Sequence, residues 1–180
     1  MEFRQARQAD LPQMEHMLQE AKERLRALGI DQWQSGYPNR ESLNRDLAAG
    51  AAYVLEEQGS LRAMAAILFE EEKTYRRIEG AWKNQEPYMV LHRVCAARDC
   101  CRRGYASRLF RQAEELCRAR GLWNVRIDTH RGNAPMRRFL EKLGFQECGV
   151  IFLKDPGEPT PERIAYQKIL LPPAGVSISC

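Results

Sequence analysis

Apolar positions along this chain follow two periods, and the places where the period changes mark its elements. Leu11, Met14, Leu18, Ala21, Leu25 and Leu28 recur at threes and fours, the stripe of a helix that buries one face. Asp10 stands where a cap belongs, Pro12 falls in the first turn and Gly29 stops the helix. A short alternating strand over 2–6 comes before it, and a second, shorter helix over 40–49 closes at Gly50. Apolar runs over 51–56 and 61–69 turn at Gly59-Ser60 and read as a hairpin. The second run is apolar on both faces, as a central strand should be.

The next strand, 88–97, is broken only by His92 and Arg93. From Ala106 the helical period returns at Leu109, Phe110, Ala113, Leu116 and Cys117, until Gly121. Residues 123–130 alternate, with Val125, Ile127 and Thr129 on one face and Arg126, Asp128 and His130 on the other. Asn133 caps a helix with Pro135 in its first turn, striped by Met136, Phe139, Leu140 and Leu143 and closed by Gly144. Strands over 145–153 and 163–171 flank a Pro-rich turn at 155–162, and residues 173–180 read as a flexible tail. This order predicts one α/β domain over 1–172, a mixed twisted sheet with helices on both faces.

Composition narrows the class. At 180 residues with 44% hydrophobic and 29% charged, the chain suits one soluble globular domain. No apolar run approaches the ~20 residues of a membrane span. The charged start, MEFRQARQAD, lacks the apolar core of a secretory signal, so the cytoplasm is the expected location and no membrane partner is expected. The 28 basic residues are interleaved with 24 acidic ones, which argues against a dedicated nucleic-acid binder. The densest basic stretch, 98–111, is where an RNA contact would be sought. Six cysteines without a CxxC pair read as free thiols in a reducing compartment. A homodimer stays open.

Candidate chemistry begins at Cys101-Arg102-Arg103-Gly104-Tyr105-Ala106-Ser107, between the 88–97 strand and its helix. A tight Gly-containing turn feeding a helix leaves backbone N–H groups aimed at one spot, backed by the helix dipole. Two arginines add charge, which suits a phosphate or pyrophosphate; a plain surface turn is the alternative. A single Gly rules out the GxGxxG spacing of dinucleotide folds, and there is no GK[ST]. About thirty residues on comes WNVRIDTHRGNAPMRRFLEKLGFQECG, a strand, an Asn-capped helix and a Leu-Gly-Phe turn. Together these stretches resemble the GNAT superfamily of acetyl-CoA-dependent N-acyltransferases. The family's pyrophosphate turn, Gln/Arg-x-x-Gly-x-Gly/Ala, is matched by CRRGYA with Cys101 in the first place. Its second signature, an Asn leading a helix that ends in Lys-Leu-Gly-Phe, is matched by residues 133–145. The likeness covers roughly residues 2–171, by pattern rather than motif in the N-terminal part.

The resemblance implies a GNAT fold and acetyl transfer to an amine. Pantetheine would lie along Val94, Cys95 and Ala96, using backbone groups, and pyrophosphate on the N–H groups of Arg102 to Ser107. Asn133 is a coenzyme ligand or a plain helix cap. The family usually carries a Tyr four residues before the Gly of Leu-Gly-Phe as acid to the thiolate; here that position is Leu140. Tyr105, Tyr166, water or no acid at all remain.

For the base, the period of two puts His92 on the face of Val94 and Ala96, though a strand histidine is often a satisfied core residue. Asp128 competes from the neighbouring strand, with His130 as a substrate anchor. No zinc site is expected from His92, Asp128 and His130, which lack metal-ligand spacing. The loop 31–38 carries Trp33 and Tyr37, as walls of an acceptor pocket or as pins to the core. Residues 70–86, EEEKTYRRIEGAWKNQE, read as a short helix, an extended lid or a solvated connector. The leading expectation is an acetyl-CoA-dependent N-acetyltransferase of a small-molecule or amino acid-like amine. A protein N-terminus, lysine or aminoacyl-tRNA acceptor, or an idle acyl-CoA-binding module, are the alternatives.

Overall fold

The computed structural model describes residues 1–100, 103–153 and 160–170. Cys101, Arg102, Cys180, the centre of the Pro-rich turn and the expected tail at 173–180 lie outside them. The strands are β1 (Glu2–Gln5), β2 (Ala52–Glu57), β3 (Ser60–Leu68), β4 (Glu79–Gly80), β5 (Met89–Ala96), β6 (Asn124–Thr129), β7 (Gln146–Phe152) and β8 (Glu162–Ile169). The helices are α1 (Leu11–Ala27), α2 (Arg40–Ala48), α3 (Tyr105–Ala119) and α4 (Ala134–Lys142). One mixed sheet runs β1-β2-β3-β5-β6-β8-β7-β4, so the α/β architecture is as the periodicity predicts.

Central β3 shows why its sequence is apolar throughout. Ala63, Ala65 and Ile67 pack with Leu109, Phe110 and Ala113 of α3. Met64 packs on the opposite face with Met14, Met17 and Leu18 of α1. Both faces are covered by helices, and alternation would have left one wet.

The pair that shapes the molecule is β5 with β6. They are parallel, joined through α3 as a crossover, and paired only at Met89↔Val125 and Val90↔Arg126. Beyond Val90, β5 continues along β3 on its other side as far as Ala96. β6 likewise continues along β8 to Thr129. The two strands part while each keeps a partner on its outer edge. The edge of β5 that faces β6 is therefore released from strand pairing from Leu91 onward, and at its far end Arg24 Nη2 of α1 donates to the Ala96 carbonyl at 2.9 Å.

Two expectations need correction here. Asp10 does not cap α1: a 3₁₀ turn, Gln8–Asp10, precedes the helix, and no side-chain capping bond forms. Its carboxylate instead accepts from the Arg7 N–H at 2.7 Å and from two nitrogens of Arg4 at 2.7 and 2.9 Å. A charged fork offers stronger hydrogen bonds than a neutral helix N–H.

The second correction concerns residues 70–86, where the short-helix reading holds for one turn and the solvated-connector reading fails at buried Tyr75 and Trp82. They fold as a 3₁₀ turn, Lys73–Arg76, followed by β4 at the sheet edge. Tyr75 and Trp82 are buried with Val90, Ile151 and Ala165. Trp82 Nε1 donates to the Tyr75 carbonyl at 2.9 Å. The buried Arg126 guanidinium lies between the Trp82 and Tyr88 rings, at 4.1 and 3.9 Å from their centroids, a cation–π arrangement away from water. Asn84, Asn124 and Gln167 hydrogen-bond one another behind it at 2.8–3.0 Å. The β4–β7 crossing is close enough that a Cβ on Gly149 would stand 2.1 Å from the Glu79 carbonyl oxygen. Glycine is obligatory there.

Candidate active site

Where β5 and β6 part, a cleft of about 700 Å³ opens. α1 and the 28–39 loop border one side, and the N-terminal ends of α3 and α4 border the other. Val94, Cys95 and Ala96 line it, with Ala106 from α3 and Asn133, Met136 and Phe139 from α4. This half is made chiefly of backbone and apolar surface. The first turn of α3 has N–H groups without helical partners at Tyr105, Ala106 and Ser107; the Gly104 carbonyl accepts first from Arg108. Gly104 holds φ at +83°, a conformation that turns the chain into the helix and favours glycine. An open strand edge leading to a helix N-terminus fits an extended amide-bearing chain with a phosphate group at its end. Asn133 accepts from the Met136 N–H at 3.2 Å as the cap of α4, and it also lines the cleft.

Side-chain directions settle several sequence-level alternatives. Tyr105 is buried in the core, and its hydroxyl donates to Glu57 at 2.7 Å; it lies outside the cleft lining and offers the site only its backbone. Arg103 sits over the Tyr105 ring, 5.8 Å from the centroid. Tyr166 is fully buried, and its hydroxyl accepts from Arg137 Nε at 3.0 Å, also away from the lining. Leu140 packs in the core, and the residues that α4 turns to the cleft carry no hydroxyl.

The other half is made of side chains. His92 does not share a face with Val94 and Ala96, as strict alternation predicts. Opposite Ala66–Met64 of β3, β5 spends one residue more, pairing His92 with Ala66 and Cys95 with Met64. Arg93 absorbs the extra residue at φ +51°, which makes a β-bulge. Val94 and Ala96 thus pack against the α3 core, while His92 looks toward Tyr75, ring to ring at 6.3 Å. The period of two fails at the one residue where the ladder is broken.

His92 Nε2 lies 3.3 Å from Glu72 Oε2. The hydrogen bond from His92 holds the Glu72 carboxyl down at about 2, against its partial burial. Glu72 belongs to residues 70–86, which sequence patterning left without a role; no local signal tells that segment which strand it will meet. Asp128 also lines the cleft, and its Oδ1 accepts from the Tyr75 hydroxyl at 2.7 Å. Burial, with Asp128 adding to it, pushes the Tyr75 phenol well up. His130 has a different task. Its Nε2 pairs with Asp31 at 3.1 Å, its Nδ1 accepts from the Gly132 N–H at 3.0 Å, and it does not line the cleft. It fastens the loop that starts at Asp31.

That loop carries Trp33 and Tyr37 into the lining, and Trp33 packs on the α1 core as well. The Tyr37 hydroxyl accepts from Arg93 Nη1 at 2.6 Å, and Arg93 grips Asp46 of α2 with its Nε and Nη2 at 2.7 and 2.6 Å. The bulge residue therefore ties loop, α2 and β5 together, a role its strand position did not announce.

The four cysteines among the described residues, Cys95, Cys100, Cys117 and Cys148, are free and buried. Burial pushes the Cys95 thiol in the cleft wall up to about 12, which makes it a poor nucleophile. Among the described residues no cluster of His, Cys, Asp or Glu is placed to hold a metal ion, and no helix is long and apolar enough to cross a membrane.

Solved structures share this fold. A GNAT-family acetyltransferase from Streptococcus agalactiae 2603 is 33% identical, with 95% of this chain and 96% of that one covered and a TM-score of 0.83. A Staphylococcus aureus Mu50 protein assigned as an acetyltransferase is 26% identical over 95% and 100% of the two chains, with a TM-score of 0.71. The PaiA N-acetyltransferase from Thermoplasma acidophilum, solved in complex with coenzyme A, is 16% identical over 93% and 98%, with a TM-score of 0.66; that likeness carries the fold alone. A search of curated protein sequences found no match. The model of the Acetyltransferase (GNAT) family matches residues 11–145, over the helices, strands and turn that build the cleft, and the chain belongs to that family of acetyl-CoA-dependent N-acetyltransferases.

Proposed function

We propose that the protein moves an acetyl group from acetyl-CoA directly to the primary amine of a small, amino acid-like acceptor, with His92 as the base. The observation that carries this reading is the position of His92 in the cleft wall. Its side chain is 21% exposed and paired with a carboxylate, where the side-chain half meets the backbone-built half. Val94, Cys95 and Ala96 offer backbone groups to pantetheine. The N–H groups at the start of α3, with Arg102, Arg103 and Gly104 leading into them, take the pyrophosphate. Asn133 supports the chain between. Trp33 and Tyr37 enclose the acceptor, which favours a small molecule over an open peptide groove.

In the transfer, the amine nitrogen forms a bond to the thioester carbonyl carbon while its proton passes to His92, directly or through one water. The carbon–sulfur bond breaks and the coenzyme leaves as the thiol, taking up a proton in turn. A free thiol has a pKa near ~8.5, so departure without a dedicated acid costs little at neutral pH, consistent with Leu140 in place of the usual tyrosine. Asp128, fixed by Tyr75, would hold a positively charged group of the acceptor. The test is His92→Ala, assayed by thiol release with a panel of small amines and by calorimetric titration with acetyl-CoA. A positioned base contributes ~10²–10⁴-fold, so kcat should fall by at least ~10²-fold while coenzyme affinity holds. Near wild-type turnover in His92→Ala, with activity lost in Asp128→Asn, would move the base to β6.

A further inference from the structure

The segment 70–86 does more than close the sheet edge. Its 3₁₀ turn delivers a carboxylate to His92 and a phenol to Asp128, so one turn reaches the candidate acid–base groups of both parted strands. Both oxygens of the carboxylate have partners. Glu72 Oε1 accepts from the Thr74 N–H at 3.1 Å and the Thr74 hydroxyl at 3.0 Å, which leaves Oε2 for His92. The Glu72 N–H donates to the Tyr88 hydroxyl at 3.2 Å. The turn itself rests on buried Tyr75 and Trp82. Such a carboxylate is preorganised and does not need to be recruited.

From this geometry we infer that Glu72 is a positioning residue for acetyl transfer, fixing the His92 ring with its proton on Nε2 so that Nδ1 is the atom that takes the amine's proton. An ionised carboxylate only accepts, so the nitrogen facing it must carry hydrogen. In neutral imidazole the other nitrogen is then the base. Nδ1 of His92 has no hydrogen-bond partner among the described residues, and His92 lines the cleft. A carboxylate that sets tautomer and orientation, and steadies the imidazolium once formed, is the orienting member of hydrolytic triads. Here it comes from a segment outside the strands that carry the chemistry. The inference rests on His92 being the base.

Glu72→Gln keeps the size and removes the charge. It should lower kcat by at least tenfold while leaving the KM for acetyl-CoA near its wild-type value. In a His92→Ala background the same substitution should add little, because residues acting as a unit are not additive. Glu72→Asp should restore part of the loss. Ring-nitrogen NMR of the wild-type protein with a neutral His92 ring should show it protonated on Nε2 and bare on Nδ1.

The outcomes separate cleanly. Full activity in His92→Ala means the base reading has failed. A dead His92→Ala beside an active Glu72→Gln means the base stands and the positioning role falls. Equal losses from Glu72→Gln with and without His92 overturn it too, as does an Nδ1-protonated ring. The NMR arm needs no variant, so a misfolded Glu72→Gln would not rescue the idea.

Discussion

The two halves of the cleft are built from different materials. The half proposed for the coenzyme offers main-chain groups, from Val94 to Ala96 on β5 and the first turn of α3, with side chains that mostly face inward to the core. The half proposed for the acceptor offers side chains already engaged with one another: Glu72 with His92, Tyr75 with Asp128, Arg93 with Tyr37 and Asp46. A half made of backbone tolerates variation in side chains, because a changed side chain removes no main-chain donor or acceptor. A half made of side chains depends on the elements that hold each one, and two of those, the 28–39 loop and residues 70–86, are irregular. Specificity can therefore diverge on one side while the coenzyme site stays as it is.

That contrast can be broken most forcefully through Trp82, which lines neither half of the cleft but supports Tyr75 from behind. Removing a large buried aromatic costs ~3–5 kcal/mol, and Trp82→Ala should also release the turn that presents Glu72 and Tyr75. Denaturant unfolding should show the loss. At temperatures where the variant stays folded, acetyl-CoA binding should persist while turnover collapses. Equal damage to both would mean the halves are not separable.

Gly104→Val attacks the other half. No atom of the described residues stands within 4 Å of a Cβ there, but φ is +83°, so the cost is backbone strain at the entry to α3. Acetyl-CoA at ~100 times its dissociation constant should stabilise the wild-type protein by ~2.7 kcal/mol. In a thermal melt the variant should lose most of that gain. An unchanged response would place the phosphate elsewhere.

Acid should act on the acceptor half first. Glu72 is held at about 2 by the hydrogen bond from His92, whereas an unfolded glutamate titrates near ~4.3. A carboxyl depressed by folding contributes stability above its unfolded value and loses it as pH falls through the folded one. The window therefore runs from ~4.3 down to about 2. Asp10, lowered by its bond from Arg4, adds to the same slope in wild type and variant alike. Chemical denaturation across that window should be less steep for Glu72→Gln than for wild type; identical slopes would show that the pair adds nothing to folding.

The smallest effect is expected from the cysteines. With direct transfer, a Cys100→Ser, Cys101→Ser double variant should keep most of its turnover. Isolation of an acetylated cysteine on the reaction path, with ping-pong kinetics, would refute direct transfer.

Hydrophobic period alone determined most of this fold. It located α1, α3, α4 and the long strands, because each buries one face or two, and burial imposes a period of 3.6 or 2 on the residues that undergo it. The strand–turn–helix around Gly104 and the Asn133 helix were legible for a related reason: anion binding by backbone N–H groups needs only local geometry, and local geometry is written locally.

What only the tertiary structure decided was which distant side chains meet. The bulge at Arg93 reversed the face of His92, since a ladder's register belongs to two strands and cannot be read from one. Residues 70–86 looked like a charged connector because their partners, Arg126, Gln167 and Ile151, lie from about forty to more than eighty positions away in the chain. Asp10 resembled a cap until Arg4 and Glu56 were folded beside it. Periodicity reports that a residue is buried. The packing of elements remote in sequence decides what it is buried against, and in the acceptor half that is the chemistry.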